Sequence, residues 1–172
     1  GMGSKGIVAS TAGIGALRTA NFEFVFYLVV LIVLALGVLA LHVRVRLSTA
    51  ALWLLAVWGA LHMAGGLVPV PESWPTTGYQ VLYSWWLIPG YLKYDHVVHA
   101  YGFGVTTWLC WQGLCGAVGP RRPTFGLMVL TAAAGLGFGA LNEVIEFFAT
   151  LLTPTNVGGY VNTGWDLVAN AA

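Results

Sequence analysis

The chain has 172 residues, of which 58% are hydrophobic and only 8% charged, and its mean hydropathy is +0.80. A soluble domain carries about 25% charged residues, so this chain lacks the polar surface to face water on all sides. Seven basic and six acidic residues leave a net charge of +1, which gives no electrostatic footprint for nucleic acid. Cys110 and Cys115 fall inside one apolar run. That spacing points them in different directions on a helix, so they read as core thiols and not as a disulfide or metal pair.

Crossing a bilayer takes roughly 20 apolar residues, and the pattern predicts an all-α, polytopic transmembrane bundle. Four full spans, a short interfacial segment and the start of a fifth helix are expected. Residues 1–21 read as a mobile N-terminal segment and 22–172 as a single transmembrane domain. Helix 1 is expected from Phe22 to Val43, capped by Asn21 with Glu23 at the positive end of its dipole. Helix 2 is expected from Leu47 to Val68, stopping at Pro69 and Pro71. The stretch Tyr79 to Tyr94 is rich in Tyr and Trp and broken by Pro89-Gly90, as suits a membrane–water boundary. Helix 3 is expected from Tyr94 to Val118 and helix 4 from Thr124 to Leu152. A Gly-rich loop over Thr153 to Gly164 leads to a helix starting near Trp165, too short to cross unless the native chain runs further.

Short basic loops lie on the cytoplasmic side of a membrane. Arg44 with Arg46, and Arg121 with Arg122, therefore place the opposite ends of the helices outside, in the plasma (inner) membrane. Lys5 and Arg18 in the N-terminal segment run mildly against this orientation.

The remaining polar residues then converge. His62 on helix 2, Asp95 and His99 on helix 3, Glu143 and Glu146 on helix 4 and Asp166 on helix 5 fall at one level. That level is roughly 5–15 Å below the outer surface at about 1.5 Å per residue. Helical spacing puts Asp95, His99, Gly102 and Thr106 on one face, Gly135, Gly139, Glu143 and Glu146 on another, and Gly59, His62 and Gly66 on a third. Glycines let helices approach closely, so these faces are expected to look inward. His96 points about a quarter-turn away, and Asn142 and Asn170 are placed to position water or substrate.

Taken singly, most of these residues have plain structural readings. Asp95 and His99 could pair at a helix start, Asp166 could cap a helix, and His62 could be a core histidine. His42 sits at the other membrane face. The run Gly135-Leu136-Gly137-Phe138-Gly139 is packing and not a nucleotide loop. Together, carboxylates and imidazoles make a mixed oxygen–nitrogen ligand set suited to Zn, Mn or Fe, with no organic cofactor. A divalent cation held by His62, Asp95, His99, Glu143, Glu146 and Asp166 could activate water toward a lipid or phosphoester, with a spare carboxylate as base. The same groups could serve an ion or small-solute transporter, or staple a non-catalytic subunit of a membrane complex. The partners expected are membrane lipids, and a membrane-protein partner or second copy under the subunit reading; nucleic acid is not expected.

Four stretches carry a resemblance. They are Leu61-His62-Met63-Ala64-Gly65-Gly66, the run Tyr94 to Gly104 with Asp95-x-x-x-His99, the run Asn142-Glu143-Val144-Ile145-Glu146-Phe147, and Gly158-Gly159-Tyr160 through Asn170. Here the chain resembles the YjdF-type bacterial inner-membrane proteins and, more distantly, VanZ-like proteins. The resemblance implies a small polytopic bundle and a shared polar site, and supplies no activity. The chain departs from the pattern at His96, where a basic residue would follow the aspartate.

Overall fold

A computed structural model describes residues 29–119, 122–152 and 159–172. The expected N-terminal segment, the expected start of helix 1 at Phe22 with its cap Asn21 and Glu23, and Arg121 lie outside them. Five helices are described: α1 Val29–Val45, α2 Thr49–Leu67, α3 Tyr94–Val118, α4 Phe125–Leu152 and α5 Tyr160–Asn170. Arg46 takes a left-handed backbone (φ 53°) and its N–H returns to the His42 carbonyl at 2.8 Å, which ends α1. Two residues on, the Ser48 hydroxyl accepts from the Ala51 N–H at 3.2 Å and starts α2.

The membrane character shows in where the apolar surface lies. α2 and the Phe125–Leu151 part of α4 are long and apolar enough to cross a bilayer, with mean hydropathies of 1.5 and 1.6, yet only 11% and 17% of those windows are buried. The core helix of a soluble protein would be mostly buried. These helices instead turn Trp53, Leu130 and Leu151 outward, while His99, Glu143, Asp166 and Asn170 are buried. The expectation of four full spans is thus met by two helices. α1 is short over its described part, and α3 carries Asp95, His96, His99 and Gln112, which lower its hydropathy.

α3 is the hub, touching α2, α4 and α5. At the end near the arginines, Leu47, Ala51, Val105 and Leu109 form an apolar cluster, flanked by Val38, Leu41 and Val45 of α1. Gln112 locks this end: its Oε1 accepts from the Ser48 N–H at 2.7 Å and its Nε2 donates to the Ser48 hydroxyl at 3.2 Å. Higher up, the Tyr101 and Tyr94 hydroxyls donate to the Leu54 and Leu61 carbonyls at 3.2 and 3.0 Å. Both cysteines are free and half-buried.

The expected interfacial segment is more ordered than its composition suggests. A single 3-10 turn, Leu82–Ser84, leads to β1 Trp86–Ile88, which pairs antiparallel with β2 Leu92–Lys93. Gly90, at φ 77°, makes the turn between them. The fold is therefore helical with a small two-stranded sheet, not purely α. Trp74 stacks on Trp85 with centroids 4.3 Å apart, folding the preceding loop onto this hairpin.

The inward glycine faces hold for α3 and α4. A Cβ on Gly102 would meet the Trp58 ring at 2.1 Å, and one on Gly135 would meet Thr107 Oγ1 at 1.9 Å and its Cα at 3.2 Å. The expected α2 face does not hold, because Gly59 and Gly66 face open space. The packed stripe of α2 is Ala51, Trp58 and Gly65, with the Tyr83 ring 2.7 Å from where a Gly65 Cβ would sit. Gly135→Ala should accordingly destabilise the protein by roughly 1–3 kcal/mol. Gly137→Ala, with open space around it, should be neutral or stabilising through helix propensity. Thermal unfolding in detergent compares the two; equal melting points would refute the packing.

Candidate functional site

His99 sits at the centre. It is buried on α3, 5% exposed, one turn after Asp95, so both side chains lie on one helix face. Its Nδ1 lies 2.9 Å from Asn170 Oδ1 on α5. The Asn170 amide nitrogen in turn donates to Glu143 Oε1 on α4 at 3.3 Å. This fixes the amide orientation: its oxygen accepts, so His99 Nδ1 carries the proton. His99 Nε2 faces Asp95 Oδ1 at 3.5 Å. A neutral ring would turn a lone pair toward that carboxylate, and an imidazolium an N–H.

Two groups of three ligand atoms arise around this ring, each within 4.8 Å: Asp95, His99 and Asp166, and His99, Glu143 and Glu146. Asp166 is 1% exposed; its Oδ2 accepts from Asn162 Nδ2 at 2.5 Å, while Oδ1 has no partner among the described residues. Glu143 is 5% exposed, and its Oε2 is likewise unpartnered. Glu146 Oε1 accepts from Asn142 Nδ2, one turn earlier, at 2.8 Å. Buried acceptors left without donors are costly, at about 1–3 kcal/mol each and more when charged.

Five of the six residues expected to gather do so. His62 belongs to neither group. It stands at the edge of the α2 stripe, and its Nδ1 bonds to the Tyr83 hydroxyl. Burial, and then the nearby Asp95 and Glu146 carboxylates, push the Tyr83 hydroxyl upward from its ordinary pKa. It therefore stays protonated and donates, leaving the His62 Nε2 side to carry that ring's proton. His96 is held apart between the rings of Trp86 and Trp165, at 6.3 and 6.2 Å. Its Nδ1 accepts from the Lys93 N–H at 3.3 Å. Asn170 is a pivot between helices, closer in role to the site than its sequence position suggested.

Asp166 is not a helix cap. α5 begins at Tyr160, so the expected loop up to Gly164 is helical beyond Gly159, while residues 153–158 lie outside the described set. Asn162, Asp166 and Asn170 thereby form a polar stripe at four-residue spacing. That spacing was visible in the sequence, but the glycines flanking it suggested a loop. Asn162 also ties Asp166 to Lys93, whose Nζ bonds to Asn162 Oδ1. Thr106, on the expected α3 face, and its neighbour Thr107 turn back to the carbonyls of Gly102 and Phe103 and do not enter the site. Replacing Asn170 by Ala should strip His99 Nδ1 and Glu143 Oε1 of their partners and cost about 1–3 kcal/mol. A melting point in detergent unchanged by Asn170→Ala would show that this triangle does not join the helices.

Neither a curated protein nor a solved structure matches the chain, and the VanZ-like likeness gains no support. A family model described as "Predicted membrane protein (DUF2238)" matches residues 5–172. With apolar faces outward, polar residues within and nearly its full length matched, the chain belongs to this membrane protein family.

Proposed function

We propose that this is a polytopic inner-membrane protein of YjdF type that binds a divalent cation at Asp95, His99 Nε2 and Asp166, on the extracytoplasmic side. In this reading α1 and α3 also cross the bilayer, beside α2 and α4. The observation that carries the reading is the grouping of ligand atoms from Asp95, His99 and Asp166, with His99 Nε2 turned toward Asp95 at 3.5 Å. The Asp166 Oδ1 is buried with no donor among the described residues. The His99–Asn170 bond matches the usual support of a metal-bound imidazole, whose second N–H donates to a neighbouring oxygen. The mixed oxygen–nitrogen set suits Zn, Mn or Fe. Glu143 lies 3.6 Å from the other ring nitrogen, Nδ1, and in this reading one of the carboxylates not spent on the cation would act as base. A cation at this site would supply Lewis-acid chemistry for hydrolysis of a phosphoester or lipid headgroup.

Transport is the weaker alternative. The inner halves of α3 and α4 offer Thr106, Thr107, Thr131 and Gln112, and each is already bonded to its own helix or to Ser48. Among the described residues no polar path continues inward from the site.

Purified protein in detergent should take up Mn²⁺ saturably by electron paramagnetic resonance, and elemental analysis should find Zn, Mn or Fe. His99→Ala and Asp166→Asn should each lower affinity by about tenfold or more. A folded wild-type protein that binds none of these ions overturns the proposal. Orientation has its own test. After Cys110 and Cys115 are replaced, a cysteine at Glu72 should react in whole cells with a membrane-impermeant thiol reagent, and one at Arg122 should not. The reverse pattern would place the site in the cytoplasm.

A further inference from the structure

A cavity of about 170 Å³ opens beside the α3 start and reaches Asp95, well above the ~30 Å³ that one water occupies. Of the described residues that line it, Lys93 is the single cation and Asp95 the single carboxylate; the rest of the polar wall is Thr77, Tyr83, Ser84 and Asn162. The wall is rich in spare donors. Thr77 Oγ1 accepts from the Trp86 indole N–H at 2.6 Å, so its own proton is free to donate. The Ser84 hydroxyl makes no bond among the described residues. Lys93 spends one N–H on Asn162 and keeps two.

These donors are held in place. The Thr77 N–H donates to the Ser84 carbonyl at 3.1 Å and the Trp86 N–H to the Pro75 carbonyl at 2.8 Å, which pins the 75–77 loop to the hairpin. Lys93 pairs with Trp86 across the sheet and lays its ammonium 5.5 Å from the Trp86 ring centroid. Tyr83 is committed to His62, so the free donors are Thr77, Ser84 and Lys93, all on the wall that Asp95 also lines.

We infer that this vestibule binds a tetrahedral oxyanion of phosphate type, gripped by Lys93, Thr77 and Ser84 and presented to the group at Asp95. The inference deepens the proposed cation site and rests on it in one respect: a cation at Asp95 turns the floor of the chamber from negative to positive. Spare donors from a pinned loop and a lysine lining one cavity suit an acceptor-rich anion, and a free cationic ligand would meet Lys93 unfavourably.

The test uses the full chain in a phosphate-free maltoside detergent with inorganic phosphate as the probe. Calorimetry should show saturable phosphate binding, and Mn²⁺-loaded protein should broaden the phosphorus-31 resonance of bound phosphate. Lys93→Met should weaken phosphate binding by about tenfold or more, while Lys93→Arg retains it. The double change Thr77→Val with Ser84→Ala should weaken it several-fold, with the fold checked by melting point. Mn²⁺ binding, read separately by electron paramagnetic resonance, reports on the cation site alone. If Mn²⁺ fails to bind but phosphate still binds in a Lys93-dependent manner, the cation reading falls and the vestibule stands. No saturable phosphate binding by wild type, with or without Mn²⁺, or equal binding by Lys93→Met, overturns the inference. Dihexanoyl phosphatidic acid displacing phosphate with higher affinity would identify a lipid headgroup as the source; displacement no better than phosphate itself would identify a free phosphate.

Discussion

Asn170 joins three helices through one amide. Its oxygen accepts from His99 on α3 and its nitrogen donates to Glu143 on α4, while its backbone belongs to α5. The close approach this requires explains Gly139. A Cβ there would come within 2.9 Å of the Asn170 Cβ and 3.1 Å of its amide, so any larger residue on α4 would push α5 away. A hydrogen bond between helices is worth only about 1 kcal/mol in a membrane. Its structural weight comes from the alternative, which is a charged or polar group buried in apolar surroundings with nothing to bond.

That constraint accounts for the asymmetry of the bundle. The end near Arg44 and Arg122 is packed by Leu47, Ala51, Val105 and Leu109 and needs polar groups only at the Ser48–Gln112 clasp. The opposite end holds Asp95, Glu143, Glu146 and Asp166 around one imidazole. An apolar outer surface lets these helices sit in lipid, and it also removes the water that would otherwise solvate the carboxylates. A charge at the centre of a membrane helix costs about 2.5–3.5 kcal/mol on insertion scales. The polar end is thus the part of the fold least explained by stability.

The long helices were legible because they are long, apolar and sharply bounded. α3 runs from Tyr94 to Val118 as its pattern indicates, and α4 starts one residue after the expected Thr124. The convergence of Asp95, His99, Glu143 and Asp166 was legible too, since helix order and direction fix depth before any contact is known. Rotation about a helix axis was harder. α2 is apolar nearly all round, so its sequence does not say which side faces the neighbours, and Gly59 and Gly66 proved to be on open surface while Gly65 meets Tyr83. His62 was consequently placed among the ligands, whereas its Nδ1 bonds to Tyr83 of the segment expected to lie at the interface. α5 was misread for a local reason: Gly158, Gly159 and Gly164 weaken helix propensity, and only packing of Asn162, Asp166 and Asn170 against α3 and α4 makes the helix worth forming. Lys93 and the Thr77–Ser84 wall depend on hairpin register, which loop composition does not encode.

Charge balance then limits what the site can be. Four carboxyl groups gather around the His99 ring, and the described cation that bonds toward them, Lys93, reaches Asp166 through the Asn162 amide. His99 cannot neutralise them as a neutral ring, and with Nδ1 committed to Asn170 its Nε2 adds another acceptor facing Asp95. The missing positive charge has to be protons or a bound cation, and both would occupy the same lone pairs. Protonation would make these carboxyls neutral and cheaper to bury, and protons and a cation would compete for the unpartnered Asp166 Oδ1 and Glu143 Oε2. Under the proposed cation reading, one multivalent ion shared by Asp95, His99 and Asp166 would meet the unpartnered Asp166 Oδ1 and stand between Asp95 and the His99 ring. Glu143, 3.6 Å from the other ring nitrogen, would then stay outside that ligand set.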